Sequence, residues 1–298
     1  MPPRASPLPA ILTLVVAMSA VPFMDAIAKH LSATLPVVQV TWARYVFHLV
    51  LAVPILLWTQ RGGGQMVPRR IGLQLLRGVL LVCSTFTFFL SVKYLPLADA
   101  LALAFISPLV VTAVSPFLLG EKVGVRRFTA VGVGFIGALI IIRPGSGVMH
   151  WASLLAVSAG VTYALYVVMT RKLAGTAPPI VTLVYGALFG ALVTSTALPF
   201  AWKPPTGSEW AWMVAIGMTA ACTHYLLIKA YEAAPASLLQ PFTYVEIVMA
   251  TILGYLWFGD FPDAWTGVGV AILIASGIYV SLRERQLHLK RDETSAPT

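Results

Sequence analysis

Apolar and polar positions divide the chain into ten long apolar runs separated by short polar or basic breaks. The runs cover residues 8–30, 36–59, 71–94, 96–119, 125–142, 149–171, 178–201, 210–231, 235–258 and 263–282. A helix rises 1.5 Å per residue and needs about 20 apolar residues to cross the hydrocarbon of a bilayer, which is close to the length of each run. Strands of an outer-membrane barrel would instead alternate in segments of about ten residues, whereas Leu97 to Gly120 is continuous. The pattern predicts an all-α integral membrane protein with ten transmembrane helices. The first run follows Arg4 and contains Ala17-Met18-Ser19-Ala20, a small-residue stretch that also suits the end of a cleaved signal peptide.

The runs repeat at one constant offset. Ala17 and Ser19 recur as Ala156 and Ser158, Cys83 as Cys222, Pro96 as Pro235, and Gly120-Glu121 as Gly259-Asp260, with the same separation in every pair. This predicts two five-helix repeats, 8–142 and 149–282, and a polar tail at 283–298. The match of the first run to the segment around Ala156–Ala159 favours a retained helix over a removed signal. Five spans per repeat is an odd number, so the second copy is inverted relative to the first. Many secondary transporters are duplicated in this way, with their sites where the halves meet.

Composition agrees with the pattern. The 298 residues are 58% hydrophobic and 10% charged, with a mean hydropathy of +0.85, more apolar surface than a soluble core can hide. A net charge of +9 would suit a nucleic-acid partner, but the bases stand singly or in twos and threes between the runs, as topology signals do, so no nucleic acid is expected. With both termini cytoplasmic, 14 of the 20 basic residues face inside, among them Arg61, Arg69, Arg70, Arg171 and Lys172. The matched loops agree: Glu121 is followed by Lys122, Arg126 and Arg127, and Asp260 by Asp263 with no base until Arg283. The expected location is the bacterial inner membrane, multi-pass, with lipid as its surroundings. Cys83 and Cys222 lie inside apolar runs and read as small buried residues. The chain has no His-Glu-x-x-His, Gly-x-x-x-x-Gly-Lys-Ser/Thr or Gly-x-Ser-x-Gly motif, so no enzyme, catalytic residue, metal or cofactor is expected. A non-transporting receptor or scaffold stays open.

Phe88-Phe89-Leu90-Ser91-Val92-Lys93-Tyr94-Leu95-Pro96, an apolar run with Pro108, Leu119-Gly120-Glu121 and a Gly-rich run follow one another in the first half. The second half keeps the order with Lys229, Tyr231, Ala234-Pro235-Ala236-Ser237, Gly259-Asp260 and another Gly/Ala-rich run. This resembles the EamA repeat of the drug/metabolite transporter superfamily, and looks most like its YddG-type exporters of aromatic and other neutral amino acids. The resemblance implies ten helices in two inverted repeats and metabolite export from the cytoplasm. The copies differ where Ser107-Pro108 becomes Glu246-Ile247.

Ionisable side chains at membrane depth cost at least about 2.5 kcal/mol for an acid or a base at a helix centre, so they are functional candidates. Counting along the runs puts His48, Tyr163, His224, Glu246 and Ser107-Pro108 near the midplane. No Lys or Arg lies between Lys229 and Arg283, so Glu246 lacks a local partner. It either binds a substrate ammonium, takes up a proton or bridges helices as a hydrogen-bonded acid. His48 and His224 are donors to a carboxylate or packing residues. Pro108 frees the carbonyl of Ala104, predicting a kink beside a site or a packing kink. Phe88, Tyr163, Tyr166 and Tyr244 offer aromatic surface. Asp25, Lys29 and Arg44, with Asp99 nearby, suit a structural ion-pair cluster or an outer gate, and Arg77 suits snorkelling. Ala130, Gly134 and Ala138, and Gly267, Ala271 and Ala275, form small-residue stripes for close helix packing or a homodimer contact. The functional reading is alternating-access export of small amphipathic metabolites, foremost neutral or aromatic amino acids; proton-coupled efflux of cationic drugs or metabolites is the alternative.

Overall fold

A computed structural model describes residues 8–61, 63–119, 125–142, 150–173, 175–233, 239–276 and 278–279. Gly120-Glu121-Lys122, Pro235 and the segment 283–298 lie outside the described residues, and so do many of the bases that set the expected orientation. Among the described residues all regular structure is helical. The helices are α1 Leu8–Ser32, α2 Val37–Thr59, α3 Ile71–Val92, α4 Leu97–Ala104, α5 Ser107–Leu119, α6 Val125–Ile142, α7 Ala152–Lys172, α8 Pro179–Ala197, α9 Gly207–Ala233, α10 Val245–Leu253 and α11 Ala264–Ser276. Among the described residues seven segments are long and apolar enough to cross a membrane, one of them spanning the α4–α5 junction, and three shorter apolar segments accompany them. Large apolar side chains such as Leu12, Val16, Trp58, Leu192 and Leu256 point outward, the surface a bilayer would cover.

The packing is between halves more than within them. α1 packs on α9, α3 on α7, α2 on both α8 and α9, α3 on α8, α4 and α5 on α7, and α10 on α1. The sequence offset that carries Ala17 to Ala156 exchanges α1 with α7, α2 with α8, α3 with α9, and α4–α5 with α10. Under that exchange α1–α9 becomes α7–α3, α2–α9 becomes α8–α3, and α1–α10 becomes α7 against α4–α5. The set of contacts maps onto itself, as it must if a two-fold relation joins the repeats. Contacts at the helix ends follow the same rule. Lys203 reaches Thr34 and Gln39 at one end, and Gln65 reaches the Thr176 carbonyl at the other.

Two breaks interrupt the packing helices. α4 ends at Ala104 and α5 starts at Ser107, with Pro108 in its first turn, where the missing N–H costs nothing. The predicted kink is therefore a full break. Its counterpart is a 3₁₀ turn, Gln240–Tyr244, followed by α10 and a π-helical turn at Gly254–Phe258. The breaks meet: the rings of Phe105 and Tyr244, which are equivalent positions of the two repeats, stand 5.4 Å centre to centre. Gly160 on α7 lets the first break come close, since a Cβ there would overlap the Ala104 carbonyl oxygen.

Two expectations about small residues change. Cys83 and Cys222 are exposed free thiols rather than buried ones, because an apolar run in a membrane protein serves an outward face as well as an inward one. The α6 stripe is buried, with Ala130 accepting from the Ser276 hydroxyl and Gly134 seated under Leu109. Gly267, Ala271 and Ala275 on α11 face outward, and the close approach of α6 to α11 runs through Gly137 and Gly269 instead.

Candidate functional site

A cavity of about 890 Å³ opens between the halves, lined from both, with residues of the α4–α5 break and of α10 in its wall. This is the size of a pocket for a drug-sized molecule. Five of the residues that the sequence marks as substrate contacts line it: Glu246, His224, Tyr163, Ser107 and Phe88. Glu246 is in the first turn of α10 and Ser107 in the first turn of α5, so both stand where a helix resumes after a break. Tyr163 and Tyr166 lie 5.5 Å apart on α7 and, with Phe88, give the wall its aromatic surface.

His48 and Tyr244 do not line the cavity. His48 is buried behind His224, ring centres 6.3 Å apart, with α9 pressed onto its backbone at Gly217. Tyr244 points to the Leu273 carbonyl at 3.5 Å while its ring meets Phe105.

The expected Asp25–Lys29–Arg44 cluster separates into two parts. Asp25 and Arg44 are buried and line the cavity. Arg44 donates to His224 Nε2 at 2.9 Å, contacts Met24 Sδ at 3.4 Å and lies over the Tyr45 ring. Lys29, one helical turn beyond Asp25, turns away to Asp260 at 2.7 Å and to the Leu95 carbonyl at 2.9 Å, with Phe258 beneath it. The stronger partner belongs to the other repeat. His30, Trp212 and Trp257 pack on one another, and Trp257 stacks on Phe258, the ring beneath Lys29. Asp99 lies in the first turn of α4 and outside the cavity wall.

At the other end the cavity runs down to Thr170, Arg171, Gly175 and Thr182, where α7 turns into α8. Arg77 lies behind this stretch. It does not snorkel, because it is 2% exposed and donates to the Thr170 hydroxyl at 2.8 Å, the Thr182 carbonyl at 3.2 Å and the Tyr166 hydroxyl at 2.8 Å. It thus fixes three groups of the wall without reaching the cavity itself. Sequence reasoning gave it no such role, although Thr170, Tyr166 and Arg77 are all polar positions inside apolar runs. A chamber with charged residues in its wall and built from two halves can hold a small polar molecule and release it by a change in how the halves pack.

Comparison with known proteins fits this geometry. A family model described as the EamA-like transporter family matches residues 8–143 and again 150–283. The riboflavin transporter of Vibrio cholerae is 31% identical over 92% of this chain and 93% of its own. The S-adenosylmethionine uptake transporter of Rickettsia bellii is 26% identical over 90% and 91%, and the pseudopaline exporter CntI of Pseudomonas aeruginosa 28% over 87% and 90%. One crystal structure, 21% identical, superposes with a TM-score of 0.67 over 95% of this chain and 99% of that one, a likeness of fold. The relatives named for a cargo are metabolite transporters of both directions and not enzymes, so this is a multi-pass membrane transporter of small molecules. The chain belongs to the EamA-like transporter family.

Proposed function

We propose that the chain is a secondary transporter that exports small amphipathic metabolites, neutral or aromatic amino acids foremost, by alternating access through ten spans in two inverted repeats. The observation that carries this reading is that Glu246 and Asp25 share one cavity with Phe88, Tyr163 and Tyr166. Carboxylates attract an ammonium group, and aromatic faces take both a cation and an apolar ring. The specialisation is that of the YddG-type exporters. S-adenosylmethionine and riboflavin, the cargoes in two relatives' names, both carry planar rings that such a wall would suit.

Charge supports the orientation assumed for export. In the orientation favoured by the basic residues, the Thr170–Thr182 end faces the cytoplasm of a bacterial inner membrane and the Lys29–Asp260 end faces out. Export then begins with cargo entering this cavity from the Thr170–Thr182 end. Two acids in one chamber also favour a second reading, proton-coupled efflux of cations, in which Glu246 exchanges a proton for cargo.

Uptake of labelled neutral amino acids into proteoliposomes, with and without a pH gradient, tests both. The first reading expects saturable flux that Glu246→Gln reduces at least about tenfold, the worth of one charge-assisted contact. Flux of organic cations alone, lost in the same variant and driven by the gradient, would replace it with the second. Normal amino-acid flux in the variant would remove Glu246 from the site.

A further inference from the structure

Arg44 is held in an unfinished arrangement. It is 2% exposed, on α2, with its guanidinium in the cavity wall. Nη2 donates to His224, Nε lies against the Met24 sulfur and the cation stacks on Tyr45 at 4.7 Å, but Nη1 is buried with no hydrogen-bond partner. A guanidinium carries five N–H donors in a rigid fork, and a buried donor left unmade costs about 1–3 kcal/mol, more when charged. Asp25, next to Met24 in sequence, lines the same wall, yet it forms no ion pair with Arg44.

The surroundings keep this fork in place. The accepting Nε2 of His224 carries no proton, so that ring presents a lone pair to Arg44 and its N–H to the far side. His48, behind it, is buried with both ring nitrogens unpartnered, so nothing there competes for Arg44. The other charged groups of the wall are Asp25, Glu246 and Arg171. Arg171 lies at the Thr170–Thr182 end, and phosphate recognition favours several bases together. Two carboxylates in the same wall as Arg44 would repel a dianion, whereas one planar carboxylate fits the fork.

We infer that Arg44 is the anchor for a carboxylate on the transported molecule, so that the cargo is a zwitterion or a monoacid with an aromatic or apolar body and not a simple cation. The inference rests on the proposed function only in taking this cavity for the cargo site. Asp25 and Glu246 receive the ammonium end, and the missing bond of Arg44 forms when cargo arrives.

The test reads binding apart from transport, by thermal unfolding of the purified protein in detergent with phenylacetate, which has the carboxylate and ring, and with phenethylamine, which has the amine and ring. The expected result is protection of the wild type by both, with Arg44→Gln losing phenylacetate protection, a rise of about tenfold or more in the half-saturating concentration, while phenethylamine still protects. Should R44Q fail to fold, R44K keeps the charge without the fork and is expected to weaken phenylacetate selectively. Phenylacetate that fails to protect the wild type, or protects the variants equally, overturns the anchor. Phenylacetate protection that needs Arg44, in a protein that moves no amino acid in proteoliposomes, sustains the anchor and overturns the amino-acid reading instead.

Discussion

The two repeats build the cavity from equivalent positions and give it unequal chemistry. Val21 and Gly160, Met24 and Tyr163, Ser84 and Thr223, Thr85 and His224, Phe88 and Leu227, Ala104 and Thr243, and Ser107 and Glu246 are pairs related by the repeat offset, and every member lines the wall. Charge does not follow this symmetry. Opposite Asp25 the second repeat has Ala164, opposite Arg44 it has Leu183, and opposite Glu246 the first has Ser107. Duplication therefore supplies matching positions around the chamber, and divergence between the copies supplies its charge. Identical halves would offer cargo the same groups from either side; in the proposed reading the acids and Arg44 distinguish one bound orientation from the other.

Making the halves alike again should remove function while sparing the fold. Glu246→Ser copies Ser107 into the second break, and we expect substrate-dependent flux to fall to background with the unfolding temperature little changed, measured on the same proteoliposome and detergent preparations. Lost folding in this variant would mean that Glu246 holds α10 in place. The second intervention acts on the shape. Gly160→Ala places a methyl against the Ala104 carbonyl, and overpacking of this kind costs about 1–3 kcal/mol. A lowered unfolding temperature is expected; an unchanged one would show that the break can move away from α7 without strain. The smallest effect belongs to the ion pair between the repeats. Lys29 and Asp260 keep side-chain exposures of 16% and 32%, so Lys29→Met should cost about 1 kcal/mol or less, with a loss that shrinks as salt is raised. An effect independent of salt would assign the loss to the Leu95 carbonyl or the Phe258 ring.

Much of this architecture was legible in the chain. The lengths of the apolar runs and the constant offset give the helices and the pairing of the halves, because a bilayer sets a minimum span and a duplicated fold preserves spacing. Glu246, His224, Tyr163, Ser107 and Phe88 reached the cavity because a polar side chain inside an apolar run is expensive unless it faces a chamber or a partner, and the aromatic positions lie at the same depth. His48 obeys the same rule by packing behind His224, and no count along a helix distinguishes the two. The second break carries no proline where the first has Pro108, since Ile247 stands there; Pro241 instead opens the 3₁₀ turn that ends at Tyr244, a position the repeat does not mark. The outward cysteines were illegible for a general reason: a membrane-spanning helix is apolar towards lipid and towards its neighbours, so hydrophobic periodicity, the guide in water, loses its contrast. The Lys29–Asp260 bond joins residues that no local spacing relates.

The pairing of α1 with α9 and of α3 with α7 bears on how the molecule comes into being. A ribosome completes the chain through Ile142, the end of α6, before it makes any part of α7, α8 or α9, and the later helices reach the bilayer after the earlier ones. During that interval the early helices have one another and lipid, but not the neighbours against which they finally rest. Assembly is then a late event governed by the arrival of the second half. A defect in α9 would leave the newborn α1 and α2 unclaimed, and quality-control proteases would meet it as a failure of the chain's opening segments.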